Sequence, residues 1–265
     1  MNTALHATVY NFSRAAAFYQ RAFEILALAE IPFLIGGAFA QSRHTRRDRD
    51  TKDLDIVVRR ADINAVLDAF SAAGFRTELP YPHWLGKVHD GDRYLDVLFG
   101  SGNGVVQVDD EWFTYAVKAE VLGTTQLVCP AEEHLWSKAF VQERERFDGA
   151  DVMHLLHACA PRLDWDRLLA RFGDNWPVLL SHVVLFQFAY PDRREDIPGW
   201  VIDELTRRLR CQKAARDEHV CHGTVLSREQ YLFDVTELGY ADARVEPNGN
   251  MTPEEAKIWT DAIER

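Results

Sequence analysis

Long apolar runs are missing from this 265-residue chain. None approaches the roughly 18 residues that a membrane-spanning helix needs, so a membrane partner is not expected. The N-terminus carries no basic segment followed by an apolar stretch and a small-residue cleavage site, so the expectation is a cytoplasmic protein rather than an exported one. Cysteine is scarce: Cys129, Cys159, Cys211 and Cys221 show no framework spacing. In a chain of this length four scattered cysteines read as reduced thiols, not disulfides. Positive charge is also short, with 30 Lys and Arg against 41 Asp and Glu, a formal net charge of −11. An acidic surface repels phosphate backbones, so no DNA partner is expected and RNA is disfavoured. No internal repeat and no low-complexity segment is present.

What is present is a 47% apolar composition, enough to bury a core. The order of elements is α/β up to about residue 129. Residues 14–29 have helical periodicity. A short strand at Phe33–Ile35 is broken by Gly36-Gly37, and a second helix starts near Ala38. Asp53–Val58 reads as a buried strand, and Ala61–Ala73 as a helix closed by Gly74. Strands follow at Phe75–Glu78, Trp84–His89 and Arg93–Phe99, the last two joined by Asp90-Gly91-Asp92, an Asp-Gly hairpin turn. Further strands are expected near Thr114–Lys118 and Gln126–Cys129. From Pro130 the pattern turns helical: Ala131–Arg146, Gly149–Ala158 with Asp148 and Asp151 as a capping pair, Trp165–Phe172, Trp176–Phe188 and Trp200–Leu209. The expected division is therefore 1–129 as an α/β core, 130–210 as a helical region, and 211–265 as a mixed polar tail.

The chemistry gathers in the first of these. Asp53-Leu54-Asp55 interrupts an otherwise apolar strand. Residues i and i+2 of a strand share a face, so the two carboxylates lie about 7 Å apart along the backbone. Like charges this close are costly unless a cation joins them, and hard oxygen donors select Mg2+ or Mn2+. Asp96 is a third acid inside an apolar strand, Tyr94–Phe99. If the two strands are neighbours, three carboxylates meet, an arrangement suited to two metal ions about 4 Å apart. The alternatives are a solvated strand end for Asp53 and Asp55 and, for Asp96, a buried acid paired with an arginine. Gly36-Gly37, between a strand and a helix, allows close approach of a phosphate to backbone amides. Residues 41–60 run against the acidic trend, with seven Lys or Arg and four Asp. Arg46, Arg49 and Lys52 are thus candidates for offsetting a polyphosphate. Asp151, His154 and His157 share a helix face but no further ligand is evident, and Cys211, His219, Cys221 and His222 contain zinc-type ligands that fit no regular zinc spacing.

With these residues in view, the chain resembles the nucleotidyltransferase superfamily that includes DNA polymerase beta. The pattern is Gly36-Gly37, then Asp53-Leu54-Asp55, then Asp96 on a later strand. Arg49-Asp50-Thr51-Lys52-Asp53-Leu54-Asp55 is similar to the form found in bacterial minimal and abortive-infection-type members, which include toxins of toxin–antitoxin systems and antibiotic-modifying enzymes. The resemblance covers roughly residues 25–160. It implies a nucleotidyltransferase core of mixed β-sheet and flanking helices, followed by a helical C-terminal region. It implies Asp53, Asp55 and Asp96 as catalytic metal ligands, Asp96 also as a base. It implies Gly36, Gly37, Arg49, Lys52 and Lys138 as nucleotide-binding residues. The implied reaction moves a nucleoside monophosphate from a nucleoside triphosphate such as ATP to an acceptor hydroxyl on a small molecule, a protein or an RNA end. The motif Lys-Asp-x-x-Asp of some members lacks its lysine here, at Phe147-Asp148-Gly149-Ala150-Asp151. A nucleotide-binding module without turnover and a metal-dependent phosphohydrolase are the other readings.

Overall fold

The computed structural model describes residues 3–47, 53–213 and 218–263, with side chains from residue 16 onward. Contacts divide the chain into two compact units. The first holds residues 1–40, 48–100 and 108–129; the second holds 41–47, 101–107 and 130–265.

The first unit is an α/β layer. Its strands are β1 (Leu34–Ile35), β2 (Leu54–Val57), β3 (Arg76–Tyr81), β4 (Leu85–Asp90), β5 (Arg93–Leu98), β6 (Val117–Val121) and β7 (Thr124–Val128). They form one mixed seven-stranded sheet in the order β3-β4-β5-β2-β1-β7-β6. The pairs β2/β5 and β1/β7 are parallel and the rest antiparallel. Helices α1 (Thr3–Leu28), α2 (Gly37–Thr45), α3 (Ile63–Ala72) and α4 (Asp110–Thr114) complete the elements that begin in this unit. Leu54, Ile56 and Val58 alternate inward and pack with Leu95 and Val97 of β5, with Phe18, Ala22 and Leu26 of α1, and with Val66 and Phe70 of α3. Alternation then turns Asp53 and Asp55 to the opposite face of the sheet.

One expectation is shifted here. The strand expected near Thr114–Lys118 begins at Val117, because Asp109 accepts a hydrogen bond from the Glu111 amide and caps α4, which runs to Thr114. The Asp109 cap satisfies an orphan amide at the start of that helix.

In the second unit, α5 (Ala131–Ala139), α6 (Gly149–Cys159), α7 (Trp165–Phe172), α8 (Trp176–Ala189) and α9 (Gly199–Cys211) pack around Leu135, Leu155, Leu168, Phe172, Leu179 and Phe186. Helix α5 stops seven residues short of the expected Arg146, because residues 140–148 have partners that a helix would deny them. The Gln142 amide donates to Leu226 O (3.2 Å), and the Glu143 carboxylate receives Ser227 Oγ (2.8 Å) and meets Arg228 (3.2 Å). The expected capping pair at α6 does not form either. Asp148 makes no side-chain cap, since Lys138 and Arg146 occupy its carboxylate. All four cysteines are unbridged. No helix among the described residues is long and apolar enough to cross a membrane.

Two buried imidazoles make the second unit acid-sensitive. Gln41 Nε2 donates to Asp151 O, so its Oε1 accepts from His134 Nε2 at 3.0 Å. His182 Nε2 donates to Ala139 O at 2.8 Å. Burial holds both rings neutral, His134 well below the ordinary histidine range. The unfolded chain binds protons as pH falls through about 6.5, while the folded one does not, so stability drops in that window. The melting temperature followed by circular dichroism should therefore be lower at pH 5.5 than at pH 7.5. Equal values would show that these rings are protonated without unfolding.

Candidate active site

Strand β2 is short and apolar apart from its acids, and its parallel pairing with β5 sets the site. The register places Leu54 opposite Leu95, Asp55 opposite Asp96 and Ile56 opposite Val97. Paired residues of neighbouring strands lie about 5 Å apart and point to the same face, so Asp55 and Asp96 are side by side. Asp53 stands one step before β2, and Tyr94 Oη donates to its Oδ2 at 3.3 Å.

On the other side of β2 the chain closes tightly. The Gly36 amide donates to Asp55 O at 2.9 Å, and the Ala40 amide to Gly36 O at 3.0 Å, which opens α2. Gly37 has φ +52°, and a Cβ there would stand 1.7 Å from Asp55 Oδ2. Only glycine lets the start of α2 approach that carboxylate, and the helix N-terminus favours its negative charge. Arg49 and Lys52 lie outside the described residues. Lys138 belongs to the second unit, where its Nζ is 2.9 Å from Asp148 Oδ2 and 2.8 Å from Asp151 Oδ2.

Charges on this face continue across the sheet. Lys87 of β4 is the register partner of Asp96, and its Nζ reaches Asp96 Oδ1 at 2.6 Å while lying 4.1 Å from the centre of the Tyr94 ring. Asp96 is thus paired with a lysine rather than the arginine weighed from the sequence. Burial raises its carboxyl above the ordinary aspartate range; Lys87 pulls it partly back, and Asp53 adds to the rise. Tyr19 of α1 and Tyr94 register the same negative field. Burial first, then the Asp53 charge, pushes Tyr19 up to about 12, and Tyr94 is raised by the same two causes.

Neither Lys87 nor the two tyrosines was singled out in the sequence. For Lys87 a signal existed. The hairpin loop Gly91-Asp92 sets Asp90 opposite Arg93, and counting back along both strands brings Lys87 opposite Asp96. Among the described residues no group of three or more His, Cys, Asp or Glu is gathered as a metal site. That includes the two histidine-containing sets noted in the sequence and the expected trio Asp53, Asp55 and Asp96, whose third member is held by Lys87 instead. At the acidic face the donors are oxygens alone, and Gly37 keeps the space over Asp55 clear of a side chain, which fits a hard divalent cation at Asp53 and Asp55.

Gly37 can be tested against Gly74. Both have positive φ, but a Cβ at Gly74 meets nothing within 4 Å. Alanine at either site costs about 1–2 kcal/mol of left-handed strain. In urea unfolding Gly37→Ala should lose clearly more than Gly74→Ala, because it also displaces Asp55. Equal losses would mean that the carboxylate moves aside freely.

No protein-family model matches the chain, and no curated protein matches it either. Several solved structures are similar to it. The antibiotic-resistance factor ANT(2'')-Ia shares 16% identity over 64% of this chain and 97% of that one, with a TM-score of 0.46. The lincosamide antibiotic adenylyltransferase LnuA with lincomycin bound shares 14% over 53% and 94%, with a TM-score of 0.38. An antigenic nucleotidyltransferase-like protein from Paracoccidioides brasiliensis shares 13% over 69% and 90%, with a TM-score of 0.43.

Proposed function

We propose that the chain is a metal-dependent nucleotidyltransferase that moves a nucleoside monophosphate from a nucleoside triphosphate to an acceptor hydroxyl. The observation that carries this reading is the register of β2 on β5, which sets Asp55 beside Asp96, with the Gly36-Gly37 backbone closing on Asp55 from the other side. Two acids and a side-chain-free helix entry share one face, so the triphosphate has amides to approach and the acceptor has a base. Asp53 and Asp55 hold a divalent cation, Mg2+ or Mn2+, which when bound neutralises phosphate charge.

The acceptor oxygen attacks the α-phosphorus, the bond from that phosphorus to the pyrophosphate oxygen breaks, and pyrophosphate leaves. Asp96 takes the hydroxyl proton. Burial raises its carboxyl, which makes it a stronger base than an exposed aspartate. Gly36 and Gly37 admit the triphosphate to the start of α2, and Arg49 and Lys52 supply further positive charge. The proposal does not call on Lys138, whose ammonium is already met by two carboxylates. A small molecule or a protein side chain suits the acidic chain better than an RNA end.

The test is incubation with each of four α-labelled ribonucleoside triphosphates, Mg2+ or Mn2+, and cell extract as acceptor source. Label should pass to an acceptor with the wild type and fall by at least about 100-fold with Asp55→Asn. Labelled monophosphate without a labelled acceptor would make the chain a phosphohydrolase. Nucleotide binding with neither product would make it a binding module.

A further inference from the structure

Resting on the proposed nucleotidyl transfer, we infer that Lys87 stands in for a second divalent cation, so that the site works with a single metal ion at Asp53 and Asp55. The face of the sheet is a row of charges at matched register. Glu78 of β3 pairs with Lys87 of β4, Lys87 with Asp96 of β5, and Asp96 with Asp55 of β2. Lys87 therefore has an acid on each side, and its choice is settled by their other partners. Glu78 is engaged by His89 Nε2 at 2.9 Å and by Arg76 Nη1 at 3.3 Å. Lys87 turns instead to Asp96, at 2.6 Å, with the two side chains only 23% and 15% exposed.

The ammonium is fixed in this position. It lies over the Tyr94 ring at 4.1 Å, and Tyr94 is itself tied to Asp53 through its hydroxyl. A divalent ion bridging Asp96 to Asp55 would sit within a few ångströms of the ammonium. Their repulsion would be twice that of two unit charges in a half-buried setting where water screens weakly. Lys87 thus neutralises Asp96 without closing it to an acceptor hydroxyl, and the metal is left to Asp53 and Asp55. Lys87 is a positioning residue: it acts through Asp96 and sets how many cations the site holds.

The experiment counts Mn2+ bound to the full chain by electron paramagnetic resonance, with Mn2+ alone as the probe and circular dichroism to verify folding. The wild type and Lys87→Arg should each bind one Mn2+ per chain. Lys87→Met should bind two, and Lys87→Met with Asp96→Asn should return to one. Two Mn2+ ions on the wild type, or one on Lys87→Met, would overturn the inference without bearing on the proposed nucleotidyl transfer. A wild type that binds none, indistinguishable from Asp55→Asn, would overturn the metal-site reading on which the inference rests.

Discussion

Parallel pairing of β2 with β5 is the constraint from which the rest of the acidic face follows. A parallel pair cannot be closed by a tight turn, so the chain leaves β2, forms α3, builds the β3-β4 hairpin and returns as β5. The register is held by apolar residues, because Leu54 and Ile56 sit opposite Leu95 and Val97 in a core without solvent. A slip of one residue would send Asp55 into that core and Leu54 and Ile56 out of it. Hydrophobic burial on one face therefore positions carboxylates on the other.

Placing acids side by side raises an electrostatic cost, and the structure answers it locally. Lys87 offsets Asp96, Tyr94 donates to Asp53, and the start of α2 approaches Asp55. These are three different devices, namely an ion pair, a hydroxyl donor and a helix dipole. Tyr19 and Tyr94 beside them are raised by burial first and by the Asp53 charge second. The second unit uses charge for another purpose. Glu133, fully buried, is met by Arg167 and by Arg171 at 3.0 Å, and Glu132 by Arg167 at 2.7 Å. Glu132 and Glu133 thus each meet a cation within the fold, and these pairs hold α5 against α7.

The second unit also shows where local pattern yields to distant contacts. Residues 140–146 have helical composition, yet Gln142 and Glu143 bind Leu226, Ser227 and Arg228 more than eighty positions away, and the helix ends at Ala139. Asp148 has the residue type and spacing of a helix cap, but Lys138 and Arg146 draw its carboxylate elsewhere. A charged partner outcompetes a neutral amide for the same oxygen.

Some features were determined by sequence alone because their causes are local. The β2 strand follows from its apolar alternation, the β4-β5 hairpin from Asp90-Gly91-Asp92, and the shared face of Asp53 and Asp55 from the two-residue strand period. The Gly36-Gly37 break is legible in the same way, since few other residues tolerate that turn. What only tertiary structure decided is who stands beside whom. That β5 rather than another strand lies next to β2 depends on packing against α1 and α3, and no short-range pattern encodes it. The closing of Gly37 on Asp55, the length of α5 and the choice of Lys87 between Glu78 and Asp96 depend likewise on residues far apart in the chain. Spacing sets which way a side chain points, whereas only the folded core sets its distance from a charge on another strand.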